Sequence, residues 1–358
     1  MINTYTKFLI FIFLRSLMFV TIITTSLAFI LNLLSELDFF KEINVDTYFP
    51  LLLSFLNSPN LVFEMFPFIF LISTQLFFVK LLENKELDIF KYSGLKNTNV
   101  LAILSKISFI TAFLITILFY NFSSSLKNIY LELKSNYTND GKYLAVITKN
   151  GLWIKDKVDN NILMINSSKI QNNYLKHNFI TEFDSDFNVI RNITSDKIDI
   201  TKNEWIVYQA KIFKKNDYNS VEKISLRTNF DQKRIQTLFS NLSSLNFLEL
   251  IELRENYKKS NYSVTEIDLH LLKIISFPLY LLLITIFSSL LMLNIKSIKS
   301  TTYKISLGLF FSVIIYYLNN FSQVLGSTEK IPLFFSVFVP LIIIFTINSI
   351  MIFKINEK

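Results

Sequence analysis

The sequence predicts a membrane α-helical protein of six transmembrane helices, arranged three and three, with an extracytoplasmic all-β, jellyroll-like domain inserted between them. Three observations lead to this fold class. The chain is 51% hydrophobic and contains 37 Phe among 358 residues, which is too apolar for a soluble protein. Six apolar runs can each cross a bilayer as a helix of about 20 residues. Residues 121–268 are polar, and their apolar runs are too short to cross. The predicted domains are therefore residues 1–120, 121–268 and 269–358.

The six apolar runs occupy residues 16–35, 61–82, 107–126, 274–295, 305–328 and 331–353. The first continues without the small-residue cleavage site of a signal peptide, so we interpret it as retained. The second contains Glu64 near its outer end. There we expect a hydrated carboxylate at the membrane interface rather than a group that binds and releases protons during transport. The fifth is interrupted by small and polar residues such as Gly308, Ser312 and Tyr317. These fit helix packing and a substrate-facing wall equally well.

Basic residues predict the orientation. If the N-terminus is cytoplasmic, the short outer loops hold only Lys41 and Lys330. The inner side then holds Lys7, Arg15, Lys80, Lys85, Lys91, Lys96, Lys106, Lys296, Lys299, Lys304, Lys354 and Lys358. This bias follows the positive-inside rule, so we expect both termini in the cytoplasm and residues 121–268 outside. It also explains much of the net charge of +8 without nucleic acid.

The outside domain is predicted to be rich in β-strands. Residues 143–148, 162–165, 178–183 and 205–213 are rich in β-branched and aromatic side chains and are separated by Asn, Asp and Lys turns. Residues 245–259 instead have the spacing of an amphipathic helix, with Ser243 or Ser244 as its N-cap.

The search for chemistry is mostly negative. With five Gly in the chain there is no phosphate-binding loop and no dinucleotide fingerprint. The absence of Cys excludes thiolate metal sites and cysteine nucleophiles. The only histidines, His177 and His270, lie outside any His-metal motif, so each is expected to be structural.

A short helix at about residues 83–94, between the second and third spans, is predicted to be a docking element. Asp88 and Lys91 share one face, and Gly94 is placed to end the helix in a left-handed conformation. Leu87, Phe90 and Tyr92 present apolar side chains outside any span. Apolar side chains among charges suit a surface that a partner covers.

Three local features, in this order and with this topology, resemble the lipopolysaccharide export permeases of the LptF/LptG type. Glu86 to Gly94 is similar to the E-L-x-x-x-x-x-x-G stretch after that family's second span. Gly151 to Asp156 is similar to a G-L-W-x-K segment of its outside domain and is most like LptG. Proline and glycine in the last three spans are placed similarly, at Pro278, Gly308, Pro332 and Pro340. The resemblance covers nearly the whole chain.

This resemblance implies a permease subunit of an ABC exporter in the bacterial inner membrane. Such an exporter extracts lipopolysaccharide from the membrane and passes it to a periplasmic bridge. The implied partners are an LptF-type permease in a heterodimer, a dimer of an LptB-type ATPase, an LptC-type bridge protein and the lipopolysaccharide. ATP would be bound by the partner, so no catalytic site, metal or cofactor is expected in this chain.

The resemblance also implies two sites. The helix at about residues 83–94 would be the coupling helix that docks into the ATPase. Its predicted contacts are Glu86 as the main polar group, with Leu87, Phe90, Tyr92 and Gly94. The family carries basic residues near the outer end of the first span. This chain has only Lys41 there, among acidic residues, and Lys41 is the candidate contact for the lipid headgroup.

Alternative interpretations of the sequence come from the same family and from two other classes of protein. Within the family, the alternative is the paired LptF-type subunit of the same exporter. A membrane receptor or sensor with an outside β domain fits the topology, but six spans exceed what anchoring needs. A membrane-embedded enzyme would need ionisable groups clustered at one depth, and the apolar runs show no such cluster.

Overall fold

Six helices in the described part of the chain have the length and apolar composition to cross a membrane. The computed structural model describes residues 4–41, 43, 45–46, 48–92, 94–135, 137, 144–148, 151–158, 161–171, 173–214, 217–230, 241–259, 263–294 and 301–356. A β-sheet lies between the third and fourth spans. The predicted fold class, six spans with an inserted β domain, is confirmed.

The elements follow one another in the order expected for this plan. The first three spans comprise α1 (Thr4–Phe39), α2 (Tyr48–Glu83), the short α3 (Glu86–Tyr92), α4 (Asn97–Leu114), a π-helical segment (Ile115–Phe119) and α5 (Tyr120–Ser135). The strands are β1 (Leu144–Thr148), β2 (Gly151–Val158), β3 (Asn161–Gln171), β4 (Tyr174–Phe183), β5 (Val189–Asp199), β6 (Glu204–Lys214) and β7 (Asp217–Arg227). The chain continues through α6 (Phe247–Lys259), α7 (Thr265–Asn294), α8 (Thr301–Ser327) and α9 (Leu333–Asn356).

The chain divides into two compact units, Met1–Tyr130 with Leu269–Lys358, and Leu131–Asp268. The third span is one continuous helical path from α4 to α5, so the predicted boundary at residue 120/121 falls inside it. The helix extends beyond its apolar run because a helix needs apolar side chains only over the hydrocarbon thickness, about 30 Å or 20 residues.

The centre of the membrane unit is formed by α2 and α7. In their most apolar windows 61% and 78% of the residues are buried, against 28% in α1 and 17% in α8. Edge-to-face aromatic contacts connect the first two spans, where Phe13 meets Phe70 and Phe77 at ring-centroid distances of 6.4 and 6.3 Å. The outer helices therefore leave most of their apolar surface uncovered within this chain.

Hydroxyl and amide groups join the central helices to each other. The Ser108 and Thr285 hydroxyls lie 2.8 Å apart, and Ser288 Oγ donates to the Leu71 carbonyl at 3.1 Å. Asn348 Nδ2 donates to the Leu283 carbonyl at 3.0 Å. Such bonds connect helices in a medium where apolar contact alone distinguishes poorly between neighbours.

The small residues of the fifth span pack against other helices. Gly308 is buried so close to the Gln75 amide that an added Cβ would lie 1.9 Å from Gln75 Nε2, and Gly326 similarly meets Ser336 on α9. Ser312 is buried, whereas Tyr317 is 67% exposed. Two roles were expected for these residues, helix packing and a substrate-facing wall. Packing accounts for the small residues, whereas the Tyr317 side chain faces outward.

The outside unit contains one antiparallel sheet of seven described strands, in which each strand pairs with the next along the chain. The four predicted strands lie within β1, β3, β4 and β6, although Tyr143 falls outside the described residues. The strand order is a meander, whereas a jellyroll has Greek-key connections. Tight turns explain this order. In the β4–β5 turn, for example, the Asp184 carboxylate accepts hydrogen bonds from the Asn188 and Asp186 amides, which lower the pKa of Asp184.

A line of buried polar side chains crosses the sheet where the regular pairing skips Ser168, His177 and Asp196. Ser167 Oγ contacts the Lys169 and Lys176 carbonyls, each at 3.1 Å. Asn178 Nδ2 donates to the Ser195 carbonyl at 3.2 Å. Ser195 Oγ donates to the Tyr208 carbonyl at 2.7 Å. At this line His177 has a left-handed backbone conformation, with φ of 52°. These side chains bond to backbone carbonyls beside the interruption, so polar groups that lie next to it are paired.

Helix α6 begins with a reciprocal cap. The Glu249 amide donates to Asn246 Oδ1 at 3.0 Å, and the Asn246 amide donates to Glu249 Oε2 at 2.8 Å. The predicted caps, Ser243 and Ser244, are wrong, since both lie in the preceding 3₁₀ turn. Asn246 and Glu249 have the three-residue spacing of a capping box.

One buried carboxylate joins the segment after β7 to β2. Asp156 is fully buried and accepts hydrogen bonds from the Asn229 amide at 2.8 Å and from Asn229 Nδ2 at 2.9 Å. In the same segment, Trp205 Nε1 donates to the Phe230 carbonyl at 2.7 Å. The chain that leaves the last strand is therefore fixed to both β2 and β6.

We expect Asp156→Asn to destabilise the outside domain by about 1–3 kcal/mol, because an amide cannot accept both hydrogen bonds and leaves buried groups unsatisfied. The measurement is thermal unfolding of the full chain in detergent, followed by tryptophan fluorescence. Only Trp153 and Trp205 occur in the sequence, so the signal reports this domain alone. Asp217→Asn, at an exposed position, is the control. Equal melting of the two variants would contradict the role of Asp156.

Candidate functional site

Helix α3 lies in the connection between α2 and α4. A residue with a left-handed backbone conformation precedes it, and another follows it. Lys85, with φ of 55°, reverses the chain after α2, and Gly94, with φ of 82°, ends α3. The Leu95 amide donates to the Phe90 carbonyl at 2.9 Å, which closes the last turn. A Cβ on Gly94 would meet no atom within 4 Å, so the requirement for Gly is conformational. The predicted helix and its glycine stop are confirmed.

The apolar side chains of α3 lie on two different faces. Leu87 is only 4% exposed and belongs to the core of the bundle. Phe90 is half-buried, and its ring meets that of Phe8 edge-on at 6.2 Å. Ile89 is 58% exposed and Tyr92 is 91% exposed. Leu87 therefore anchors the helix, and the docking role expected for Leu87, Phe90 and Tyr92 stays a prediction.

A cleft of about 370 Å³ separates α3 from the start of α1. It is lined by Thr4, Tyr5, Phe8, Glu86, Ile89 and Phe90. Glu86 Oε1 accepts a hydrogen bond from Asn84 Nδ2 at 3.4 Å, whereas Oε2 is shielded from water and has no hydrogen-bond partner among the described residues. A shielded carboxylate oxygen without a donor is unfavourable and is stabilised by any donor that a partner supplies. The side chains of Asp88 and Lys91 lie outside the described residues.

At the opposite end of α1, Lys41 is exposed just beyond the helix, and its amide donates to the Asp38 carbonyl at 3.3 Å. Of the acidic residues beside it in sequence, Glu36 is 1% exposed and accepts a hydrogen bond from the Tyr130 hydroxyl at 2.8 Å. Glu36 is thus turned into the bundle, and Lys41 faces outward.

Sequence reasoning missed a charged cluster in the bundle. Glu64 on α2 interacts electrostatically with Lys127 on α5 and with Lys273 on α7. His270 lies one turn before Lys273, within electrostatic range of both lysines, and its Nε2 lies 3.1 Å from the Tyr120 hydroxyl. No cluster of ionisable groups was expected within the apolar runs, and of these charged groups only Glu64 lies inside a run. Each lysine lies one residue outside a predicted apolar run, so run boundaries hid both from the search.

With two lysines and one glutamate, this cluster is net positive when all three side chains are ionised. Glu64 and Lys273 are exposed on the bundle surface, and Lys127 is half-buried. The arrangement can hold an anionic group at the surface of the bundle. Among the described residues, no three His, Asp or Glu side chains come together as a metal site would require.

A second cavity, of about 550 Å³, lies between α7, α8 and α9. Its lining is almost entirely apolar and includes Phe287, Leu291, Phe311, Ile315 and Ile344. It can accommodate hydrocarbon, and Ser322 is the polar residue in its lining.

The comparison with known protein families gives a match over nearly the whole chain. A family model described as lipopolysaccharide export system permease LptF/LptG matches residues 7–354 of the chain, which includes all six spans and the sheet. No curated protein matches the chain significantly.

Replacing Gly94 tests the geometry of α3 directly. We expect Gly94→Ala to weaken the helix end by about 1 kcal/mol, because Ala is disfavoured at positive φ. Gly94→Asn should cost less, since Asn tolerates this conformation. Hydrogen exchange of the peptide that contains residues 86–95 is the measurement, with the peptide of α6 as internal control. Equal exchange in the wild type and the Ala variant would show that α3 does not depend on this residue.

Proposed function

Since this chain belongs to the LptF/LptG family of lipopolysaccharide export system permeases, we propose that it is the LptG-type subunit of an ABC exporter that extracts lipopolysaccharide from the inner membrane and passes it to a periplasmic bridge. The family match over residues 7–354 carries this proposal. The Gly151-Leu152-Trp153 segment favours the LptG type, and the LptF type is the alternative within the same exporter.

The family is a permease component and not a catalytic enzyme, so the energy must come from elsewhere. The sequence contains no phosphate-binding loop, since its five Gly are scattered. We propose that a separate LptB-type ATPase dimer binds and hydrolyses ATP, and that this chain holds no cofactor. The permease then converts a movement of its cytoplasmic face into a movement of its spans.

Helix α3 is the proposed point of that coupling. Leu87 packs into the core beside residues of α2, so a displacement of α3 is transmitted to the central helix of the bundle. Ile89 and Tyr92 offer an exposed apolar surface to a partner. A donor from the ATPase would satisfy Glu86 Oε2, which has none among the described residues. Phe90 holds α3 against α1 through Phe8.

The proposed permease partner is an LptF-type chain that packs against the outer helices. Apolar side chains such as Met18, Ile22 and Phe321 are more than 60% exposed on α1 and α8. A surface of this kind faces lipid or another helix bundle. The positive-inside bias supports the proposed location, a multi-pass protein of the bacterial inner membrane with both termini cytoplasmic and the β domain periplasmic. An LptC-type bridge protein would then receive the lipid from that domain.

We propose that Lys41 is joined by the charged cluster in holding the acidic headgroup. The first span of this chain lacks most of the basic residues that its relatives are expected to carry there. Lys127 and Lys273 supply two cations from other helices, and Glu64 reduces the desolvation penalty of both. Phosphate or carboxylate groups of the lipid would pair with them.

Gentle-detergent purification from native membranes tests the function. We expect mass spectrometry to find a Walker-type ATPase and a second six-span permease bound to the chain. Glu86→Ala and Tyr92→Ala should lose the ATPase but keep the permease, because only α3 is altered. Tyr48→Ala removes an exposed tyrosine from the start of α2 and should keep both partners. Recovery of the chain alone would overturn the exporter, whereas full ATPase retention by both α3 variants would overturn only the docking assignment.

Replacing the cationic side chains tests headgroup binding. With a photo-crosslinking amino acid at Leu61, one turn from Glu64, we expect Lys273→Gln to reduce crosslinking to lipopolysaccharide by about tenfold, since one charge-assisted bond is worth about 1.5–3 kcal/mol. Lys41→Glu should also reduce it. Lys330→Gln, in another outer loop, is the control. Unchanged crosslinking in both test variants would place the headgroup elsewhere.

A further inference from the structure

Four lysines and a tyrosine form a cross-strand row on the sheet of the outside unit. Lys169 of β3 pairs with Lys176 of β4, which pairs with Lys197 of β5. Lys197 pairs with Tyr208 of β6, which pairs with Lys223 of β7. Neighbouring strands are about 4.8 Å apart, so the row, here called the lysine strip, is about 19 Å long.

The fold does not account for the lysine strip. Like charges directly opposite each other on adjacent strands are destabilising, yet the strip contains two such pairs in succession. In the part of the chain that the structure describes, none of its four lysines forms an ion pair. A solvated strand face would be more stable with alternating charges. The row therefore concentrates positive charge along one line of the sheet.

Aromatic rings restrain two of the four cations. Lys197 Nζ lies 3.8 Å from the ring centroid of Tyr174 and 5.2 Å from that of Tyr208. Lys223 Nζ lies 5.6 Å from the Tyr208 ring. These cation–π contacts restrict the rotamers of long side chains, so less entropy is lost when an anion binds.

A second row on the same face supplies flat apolar surfaces. Trp153 pairs with Asn166, Asn166 with Phe179, and Phe179 with Thr194. The two rings are 45% and 46% exposed. On β4 the buried positions include Leu175, Asn178 and Ile180, because the alternation is interrupted at His177, and Lys176 and Phe179 both lie outside the buried set. Along each strand the two rows are three residues apart, about 10 Å.

This combination fits an acidic saccharide. The apolar face of a sugar ring packs on exposed aromatic rings, and ammonium groups pair with phosphate or carboxylate substituents. The amide of Asn166 lies in the row between the two rings, and the hydroxyl of Thr194 lies beside Phe179. Both groups can form hydrogen bonds with sugar hydroxyls. An anionic bilayer surface would also attract the lysines, but it offers no sugar ring to pack on the exposed Trp153 and Phe179 rings.

We propose that the outward face of the sheet binds the acidic saccharide part of the lipid cargo through the lysine strip and the Trp153 row. The cargo rests on the proposed function, whereas the saccharide chemistry rests on the sheet alone. The binding face lies opposite the buried side of the sheet and so leaves the core of the domain unchanged.

The test uses the full chain in nanodiscs, with any partners that purify with it. The probe is delipidated, phosphorylated core oligosaccharide, and binding is measured by microscale thermophoresis at low and high salt. We expect salt-sensitive binding. Lys176→Gln combined with Lys197→Gln should weaken binding at least tenfold. Lys202→Gln combined with Lys214→Gln removes two exposed lysines outside the strip and should have no effect.

A fold readout accompanies the binding measurement. The strip variant should melt at the same temperature as the wild type or higher, because a like-charge pair has been removed. Equal binding by the wild type and the strip variant would overturn the proposal. So would a wild type that ignores the oligosaccharide but binds vesicles containing phosphatidylglycerol, which would assign the strip to a membrane surface. Oligosaccharide binding is independent of ATPase recovery, so failure of the exporter proposal is distinguishable from failure of this one.

Discussion

The bilayer interior offers no hydrogen-bond partners, and this constraint shapes the membrane unit. Every span is helical because a helix satisfies its own backbone groups. The polar side chains inside the spans follow the same rule. Thr24 and Ser54 donate to carbonyls four residues earlier in their own helices, whereas Ser288 and Asn348 donate to a neighbouring helix. The second group fixes the order in which α2, α7 and α9 pack.

The same constraint applies to the charged groups Glu64, Lys127 and Lys273. Cations on α5 and α7 can lie within the spanning helices only if a carboxylate or water accompanies them, and Glu64 supplies the carboxylate. At the other end of the bundle the buried Leu87 ties α3 to the core, while Ile89 and Tyr92 remain outside. A partner that moves α3 therefore acts on the helix that also carries Glu64, because α2 contributes both to the core around Leu87 and to the cluster.

Much of the fold was predictable because span length, turn chemistry and strand alternation are local properties. The six runs, the glycine at residue 94 and four of the strands could be read from short windows of sequence. The α6 cap was missed because two serines precede the better box formed by Asn246 and Glu249. The meander was not foreseen because pairing order depends on turn geometry. Lys127 and Lys273 were missed because helices extend past the apolar runs that define spans.

The sequence by itself determined the class of protein, the number of spans and the absence of a phosphate-binding loop, since these depend on composition and on residues close together in the chain. Only the tertiary structure decided which side chains meet. Helix rotation placed Leu87 inside and Tyr92 outside. Strand register aligned Lys169, Lys176 and Lys197, which are spread over nearly thirty residues of sequence, into one row. Both outcomes depend on contacts between distant segments, which no local pattern specifies.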